Sequence, residues 1–194
     1  EQVRWGSSAS MANRHRHVIA QLPFASVKRW LDVGSGTGAL QARVVKQNPN
    51  IMGVGLELSK GLVSHALARS LSQIRFEQQD FLDHQETNYD LLTCIGVLAK
   101  SNIGLAAFFS KASEAVKPDG KILLELKNRD WKRFHEPGFY PEVRHLWFTM
   151  EELEEAATAE GLFVVERIYG YLPDEDRIVE SQDSHTLFLH ARRT

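Results

Sequence analysis

The chain has 194 residues, 43% of them apolar and 25% charged, which is enough to bury one substantial core in a single domain. Its 23 Lys and Arg residues nearly balance 25 Asp and Glu residues, and the net charge of −2 disfavours a nucleic-acid partner. A lone cysteine, Cys94, excludes an intrachain disulfide and a cysteine-rich zinc site, and no apolar run approaches the roughly 20 residues that span a bilayer. We therefore predict a cytoplasmic protein with no metal site and no membrane contact.

The N-terminal segment is the first predicted element. It lacks the continuous apolar core of a secretory signal. We expect residues 1–26 to form a lid helix over a functional site, and His15 and His17 could both reach the cleft beneath it.

The middle of the chain alternates short apolar runs with helical patterns. Strands are predicted over 28–33, 51–58, 74–79, 89–98 and 121–127. Helices are predicted over 38–47, over 61–71 after a capping Ser59, and over 103–116. A repeated strand, helix, strand order predicts a mainly parallel sheet that is buried on both faces.

The last third of the chain changes character. Residues 128–148, rich in aromatic and basic side chains, are predicted to be a loop insert that covers the substrate and helps to form the acceptor pocket. Thr149 and Glu152 fit a capping box that opens a helix over 150–160, and Gly161 ends it. Two strand patterns follow without a helix between them, which predicts an antiparallel hairpin. The predicted fold is α/β: one Rossmann-like, doubly wound domain over 1–194, with a mainly parallel seven-stranded sheet and a C-terminal antiparallel hairpin.

The stretch "LDVGSGTGA" joins the first predicted strand to the first helix. Gly34, Gly36 and Ala39 satisfy the dinucleotide fingerprint, and Glu57 lies near the distance expected for a ribose-binding carboxylate. However, Asp32 sits inside the strand, where its carboxylate would face and repel an incoming pyrophosphate. An acidic side chain at this position suits a ligand with a positive charge, so an NAD(P)-dependent oxidoreductase stays as an alternative only.

Several segments, taken together, resemble the class I S-adenosylmethionine-dependent methyltransferase family, from about Arg29 to the C-terminus. They are "LDVGSGTG", "GLELS", "QQDFL", "YDLLTCIGVL" and "VKPDGKILLELKN", which follow one another at compatible spacing. The resemblance implies S-adenosylmethionine as the cofactor, and it implies a cofactor site built from Asp32, Gly34, Ser35, Gly36, Gly38, Glu57, Leu58, Asp80, Phe81, Cys94, Ile95 and Gly96.

The resemblance also implies a role for each motif. The glycines would let the backbone approach the methionine part of the cofactor while Asp32 supports its ammonium group. Glu57 would accept both ribose hydroxyls. Asp80 would bind the adenine amino group and Phe81 would pack on the ring, although Asp80 on its own could equally be a turn or cap residue. Residues 94–96 would lie under the sulfonium.

The methyl acceptor is not identified by these motifs. We expect a small molecule, acidic or aromatic, methylated at an oxygen, nitrogen or carbon atom, while an RNA or protein methyltransferase and a non-catalytic cofactor-binding subunit stay as alternatives. If the acceptor must lose a proton, a histidine is the usual base. The predicted bases are His145 first and His135 second. The predicted substrate-binding residues are His17, Trp131, Tyr140 and Trp147.

Overall fold

The structure, a computed structural model, describes residues 8–141 and 145–194. The helices are α1 (Ser8–Gln21), α2 (Ala39–Gln47), α3 (Lys60–Leu67), α4 (Leu105–Ala115) and α5 (Met150–Thr158). The strands are β1 (Arg29–Val33), β2 (Met52–Glu57), β3 (Ile74–Gln78), β4 (Tyr89–Ile95), β5 (Val116–Lys127), β6 (Phe163–Leu172), β7 (Arg177–Val179) and β8 (Thr186–Arg193).

One sheet runs through the molecule in the order β3-β2-β1-β4-β5-β8-β6-β7. The first five strands along the chain pair in parallel, and β8 enters antiparallel between β5 and β6. From β1 the chain adds β2 and β3 on one side of the sheet, and it then adds β4 and β5 on the other side. The connections that leave the carboxyl ends of β1 and β4 therefore go to opposite sides and open a crevice, which is where α/β proteins bind ligands.

The sheet is covered on both faces, because alternate strand residues point to opposite sides. Leu31 and Val33 of β1 join one apolar layer with α4 and α5. Trp30 of the same strand joins a second layer with α1, α2 and α3. Asp32 shares the strand face of Trp30, which places its carboxyl group beneath the second helical layer.

The predicted fold class is confirmed, with one correction to the strand count. Among the described residues the sheet has eight strands where seven were expected, because the three residues of β7 pair with β6 after a turn at 173–176. Three largely exposed residues are too few to give an alternation pattern that sequence reasoning detects. The antiparallel pairing of β6 with β8 agrees with the expected hairpin.

Several boundaries differ from the prediction for conformational reasons. α3 stops at Leu67 because Ser70 adopts a left-handed conformation with φ of 54°. β4 stops at Ile95 because Gly96, with φ of 68°, turns the chain. The capping box of α5 is present in both directions between Thr149 and Glu152.

The predicted lid and insert are both partly described. Within 1–26, α1 covers Ser8–Gln21, and residues 1–7 lie outside the described residues. Within 128–148, the chain forms a 3-10 turn at Lys132–His135, and residues 142–144 lie outside the described residues. Asn128 anchors the start of this insert, because its Nδ2 donates to the carbonyl oxygens of Ser181 (2.5 Å) and Ser184 (2.7 Å).

Candidate active site

A cavity of about 1120 Å³ opens at the carboxyl ends of the parallel strands. Asp32 of β1 and Glu57 of β2 line it, together with Asp80 and Phe81 that follow β3 and Ile95 of β4. The sheet order places these strand ends side by side, so residues far apart in sequence meet at one crevice.

The loop between β1 and α2 contributes three glycines with positive φ, but for different reasons. A Cβ at Gly34 would meet Val97 Cγ2 at 2.1 Å, and a Cβ at Gly38 would meet the Phe76 ring at 2.8 Å, so both positions need glycine for packing. A Cβ at Gly36 would meet no atom within 4 Å. Gly36 lines the cavity, so its open side faces the space that a ligand would occupy.

Asp32 lies at the floor of the cavity and is 4% exposed. Its carboxylate accepts short hydrogen bonds from the Thr93 hydroxyl and from the Gln41 side-chain amide. Thr93 in turn accepts from Trp30 Nε1 at 2.8 Å. Burial, with a smaller contribution from the charge of Glu57, raises the pKa of Asp32 from 3.8 to about 7 against the lowering effect of these hydrogen bonds.

Glu57 ends β2 at the rim of the same cavity. Its Oε2 accepts from the Gly36 backbone N–H (3.1 Å) and its Oε1 accepts from the Ser59 N–H (2.9 Å). The carboxylate is therefore fixed by the glycine loop on one side and by the start of α3 on the other. Leu58, 63% exposed, and the buried Ser35 also line the cavity.

Asp80 and Phe81 form the wall beyond β3. Asp80 Oδ1 accepts from the Leu82 N–H at 2.9 Å, so it caps a 3-10 turn as well as lining the cavity. Phe81 is buried, with its ring 5.3 Å from that of Phe108. Both interpretations of Asp80, as a cap and as part of a site wall, are compatible with this position.

The structure does not bring Cys94 or Gly38 to the cavity wall. The Cys94 side chain belongs to the apolar layer with α4, while its neighbour Ile95 faces the layer with α1, as alternation along a strand requires. Burial raises the pKa of the Cys94 thiol, so it stays protonated. Ile95 and Gly96 do line the cavity.

α1, which lies in the segment expected to form a lid helix, supplies part of the cavity wall. Met11 and His15, one helical turn apart, line the cavity. Arg14 Nε donates to Glu125 Oε1 at 2.7 Å, and both side chains are buried, which ties α1 to β5. Asn13 Nδ2 donates to the carbonyl oxygen of Pro173 at 2.7 Å.

His17 lies on another side of α1 and does not reach the cavity. Its Nε2 is 2.9 Å from the Tyr169 hydroxyl, and its ring stacks on Tyr171 with centroids 4.1 Å apart. At about 100° per residue, His17 is turned roughly 200° from His15, so one helix cannot present both to one cleft. The substrate-binding role of His17 has no support from its position.

The insert lies at the carboxyl edge of the sheet but outside the cavity wall. The Leu146 N–H donates to the carbonyl oxygen of Ala99 at 2.8 Å. Phe148 forms an isolated β-bridge with Asn128, next to the end of β5. The predicted catalytic and substrate residues on the insert that do not line the cavity are Trp131, His135, Tyr140, His145 and Trp147. Their roles stay predictions.

The insert aromatics pack mainly against one another. Trp131 lies 5.5 Å from Phe139, and Phe134 lies 5.2 Å from Trp147, ring centroid to centroid. Tyr140 is 87% exposed. The self-packing explains why these rings do not face the cavity.

Sequence reasoning missed a group of cavity residues that carry positive or titratable side chains. His65 and Arg69 come from α3 and the turn after it, and Lys100 comes from the 3-10 turn after β4. Arg69 Nε donates to the carbonyl oxygen of Thr37 in the glycine loop at 2.5 Å. Isolated basic residues on amphipathic helices give no sequence signal that separates a site wall from solvent.

Neither a metal centre nor a membrane span is found within the described part of the chain. No cluster of three or more His, Cys, Asp or Glu side chains is arranged to hold a metal ion among residues 8–141 and 145–194. In the same residues, no helix combines the length and the apolar character needed to cross a bilayer.

The chain matches the family model described as "Methyltransferase domain" over residues 9–167. It is 31% identical over 113 residues to a ubiquinone biosynthesis O-methyltransferase of Aliivibrio fischeri (strain MJ11), covering 55% of this chain and 47% of that protein. The chain thus spans about half the length of this curated relative.

Two solved structures share the fold across nearly the whole chain. An S-adenosylmethionine-dependent methyltransferase from Mesorhizobium loti is 20% identical, with a TM-score of 0.74, covering 96% of this chain and 99% of that one. The magnesium protoporphyrin IX methyltransferase of Synechocystis PCC 6803, solved with bound SAH, is 15% identical, with a TM-score of 0.67, covering 100% of this chain and 89% of that one.

Proposed function

Because the chain belongs to the methyltransferase domain family, we propose that it takes S-adenosylmethionine as its cofactor and transfers a methyl group to an oxygen, nitrogen or carbon atom of a small molecule. The relative from Aliivibrio fischeri carries the name O-methyltransferase, so an oxygen acceptor is the first to test.

The observation that carries this proposal is the set of three carboxylates at the ends of three adjacent strands. Asp32, Glu57 and Asp80 all line one cavity beside a glycine loop. These are suitable partners for an ammonium group, a pair of ribose hydroxyls and an adenine amino group respectively. A dinucleotide, by contrast, would bring its pyrophosphate towards the negative charges of Asp32 and Glu57.

Features of the loop fit this cofactor. Gly36 leaves open space where any other residue would place a side chain, and the buried Ser35 hydroxyl has no hydrogen-bond partner within the described residues. A cavity of about 1120 Å³ exceeds the roughly 300–1,000 Å³ of a typical small-molecule site, which leaves room for an acceptor beside the cofactor.

When bound, S-adenosylmethionine supplies an activated methyl group on a sulfonium. The residues of this chain then need only position the acceptor in line and exclude water, because the positive charge disperses during the displacement. α1 lies over the crevice and is held to β5 by the Arg14–Glu125 pair, which suits it to shield the site.

The acceptor is proposed to be a small acidic or aromatic molecule. The apolar side chains of Met11, Val97 and Ile103 line the cavity, and Lys100 adds a positive charge at its wall. An aromatic ring of the acceptor would pack on these apolar side chains, while an acidic group would pair with Lys100. The predicted cytoplasmic location stays a prediction.

The proposed bases remain His145 and His135 on the insert. Since neither lines the cavity, either would act only if the acceptor extends beyond it towards the insert. His145→Ala should lower turnover by roughly 100-fold without changing the Kd of S-adenosylhomocysteine, because a base acts on the acceptor alone. Unchanged turnover in both His145→Ala and His135→Ala would remove the insert from the chemistry.

The proposed function is tested by calorimetric titration with S-adenosylhomocysteine. Glu57→Ala should weaken binding by at least about tenfold, because it removes charge-assisted hydrogen bonds to the ribose. Glu154→Ala, which removes an exposed carboxylate on α5, is the control and should bind as wild type does. Tight binding of NADH, with no binding of S-adenosylhomocysteine, would overturn the assignment.

Methyl transfer is then followed with labelled S-adenosylmethionine and a panel of small phenols, carboxylic acids and amines. The expected result is label transfer to at least one of them, at a rate that falls in Glu57→Ala when the cofactor concentration is well below the wild-type Kd. Transfer only to RNA or to protein would contradict the small-molecule proposal.

A further inference from the structure

Three residues on one face of the sheet form a hydrogen-bond chain that ends on the carboxylate of Asp32. Trp30 and Asp32 are two residues apart on β1, and Thr93 of β4 lies directly opposite Asp32 in the parallel pairing, so all three side chains point to the same face. Trp30 Nε1 donates to the Thr93 hydroxyl oxygen at 2.8 Å, and that hydroxyl donates to Asp32 Oδ1. Trp30 is 1% exposed and Thr93 is 0% exposed, so bulk water does not compete for either group.

The direction of this chain follows from the chemistry of its members. An indole N–H only donates, whereas a threonine hydroxyl has one hydrogen and an oxygen that accepts. Because the Trp30 N–H is bonded to the Thr93 oxygen, the hydroxyl hydrogen turns away from Trp30 and goes to Asp32. Neither the indole nor the hydroxyl ionises near neutral pH, so this donor stays in place. A donor aimed at a buried carboxyl group favours its ionised form.

The other oxygen of Asp32 has a donor of a different kind. Gln41 Nε2, on α2, donates to Asp32 Oδ2, while Gln41 Oε1 is buried without a partner among the described residues. A side-chain amide can turn about its last bond and exchange its N–H for its carbonyl oxygen. Gln41 is thus able to serve either the ionised or the protonated carboxyl group, whereas Trp30 holds Thr93 in one orientation. Of the two donors, Thr93 is the one that discriminates between the two forms of Asp32.

No positive side chain pairs with Asp32 among the described residues, so its charge depends on these donors. Burial, with a smaller contribution from the charge of Glu57, raises the pKa of Asp32 to about 7, and the hydrogen bond from Thr93 is the largest influence in the opposite direction. Burial also lowers the pKa of His15 to about 4 and raises that of the Cys94 thiol, so neither is charged near pH 7. The titratable and charged groups on the elements around Asp32 are Arg14 and His15 on α1, Arg43 on α2, Glu57 on β2, His65 on α3, Arg69 after α3, Asp80 after β3, Cys94 on β4, Lys100 after β4 and Glu125 on β5.

We propose that Thr93 is a positioning residue of the cofactor site: oriented by Trp30, it holds Asp32 ionised for the ammonium group of the cofactor. This inference rests on the proposed function. A carboxylate has about four lone-pair sites, and Thr93 and Gln41 occupy two of them. Asp32 lines the cavity, so the remaining sites are available to a positively charged ligand there. Thr93 does not line the cavity and acts only through Asp32.

The test is the pH dependence of S-adenosylhomocysteine binding, measured by calorimetric titration of wild type and Thr93→Val at half-unit steps from pH 5.5 to pH 8.5. Valine keeps the branched shape of threonine and removes the hydroxyl. Losing a hydrogen bond to a charged group should raise the pH at which Asp32 is half ionised by about one unit. Wild-type affinity should increase up to about pH 7 and then level off. The affinity of Thr93→Val should be about tenfold weaker at pH 6 and nearly equal to wild type at pH 8.5.

The chain offers a matched control and a rescue. Thr186 of β8 is 1% exposed, and β4 and β5 lie between its strand and β1, so Thr186→Val makes the same change away from Asp32 and should keep the wild-type pH profile. Thr93→Ser retains the hydroxyl and should recover most of the wild-type profile. Trp30→Phe removes the N–H that orients the Thr93 hydroxyl, so it should shift the profile in the same direction as Thr93→Val by a smaller amount. Trp30→Phe also serves if Thr93→Val does not fold.

Other outcomes would overturn the inference. If Thr93→Val weakens binding by the same factor at every pH, Thr93 only maintains the packing around the site. If the pH profile of Thr93→Val matches that of wild type, Thr93 does not govern the ionisation of Asp32. Both results leave the proposed function intact, because wild-type protein still binds S-adenosylhomocysteine. If wild-type protein binds it at no pH, the proposed function fails and the inference falls with it.

Discussion

Replacing Asp32 by Asn should stabilise the protein at pH 8 and leave its stability almost unchanged near pH 4. The carboxyl group is 4% exposed, and burial raises its pKa from 3.8 to about 7. Between these two values the folded protein holds a proton that the unfolded chain has lost. Stability therefore falls as pH rises from about 4 to about 7, and it stays level above that.

The size of the stability difference follows from the difference between the two pKa values of Asp32. At about 1.4 kcal/mol per pKa unit, a rise from 3.8 to about 7 costs about 4 kcal/mol of stability at pH 8. In Asp32→Asn, the Thr93 hydroxyl can still donate to the new carbonyl oxygen. The Gln41 amide can turn, so that its Oε1, which has no partner within the described residues, accepts from the new amide. Imperfect geometry would cost about 1 kcal/mol, which leaves a net gain of about 3 kcal/mol.

The assay is urea and thermal unfolding of the wild type and Asp32→Asn at half-unit steps from pH 4 to pH 8.5, without added ligand. Only the difference between the two proteins is read, because other groups titrate in both. At pH 8 the variant should melt about 6 to 12 °C higher, and the difference should vanish near pH 4. A difference that does not change with pH, or a variant less stable at pH 8, would refute the reasoning.

Further predictions concern the cofactor, the glycine loop and the buried ion pair. Binding of S-adenosylhomocysteine at pH 6 should release close to one proton, because the ammonium group of the ligand requires the ionised carboxylate of Asp32 beneath it. Calorimetry in buffers of different ionisation enthalpy measures this release, and its absence would contradict the prediction. Gly36→Val should abolish binding of S-adenosylhomocysteine. Gly138 has a φ of 88° and equally open surroundings, so Gly138→Val is the control and should lose about as much stability as Gly36→Val without losing affinity. Equal binding by both variants would show that the loop does not approach the ligand. Glu125→Ala should lower the free energy of unfolding in urea by about 3–5 kcal/mol, because it leaves Arg14 buried without this partner. Glu166→Ala, which removes a surface ion pair with Lys121, should lower it by under about 1 kcal/mol. Similar losses in the two variants would mean that the buried pair contributes no more than a surface pair.

The part of the cavity wall formed by the strand ends was predictable, because its residues lie at the ends of parallel strands. A glycine loop after β1 and acidic residues at the ends of the next two strands are local patterns, and a parallel sheet brings such ends together regardless of side-chain detail. Ser35, Leu58 and Ile95 also line the cavity, because each lies at or just after the end of a parallel strand. Cys94 does not line the cavity because one step along a strand turns a side chain to the opposite face.

The contributions of α1 and of the insert to the cavity were not predictable, because they depend on helix phase and on packing within the insert. His15 and His17 are both polar residues on α1, and choosing between them requires knowing which side of the helix meets the sheet. The insert has the composition of a binding surface, yet Trp131 packs on Phe139 and Phe134 packs on Trp147. Composition cannot distinguish rings that pack together from rings that await a ligand.

The topology that gathers the recognition groups also gathers like charges, and this links stability to binding. β1 and β2 are neighbours, so Glu57 raises the pKa of a carboxyl group that burial has already raised. Raising the pH therefore destabilises the fold, but it also ionises Asp32, which strengthens its attraction for an ammonium group. Ligand binding stabilises a protein in proportion to the logarithm of affinity. Stability without cofactor and the stabilisation that cofactor adds must consequently change with pH in opposite directions between about pH 4 and 7, because one proton on Asp32 controls both.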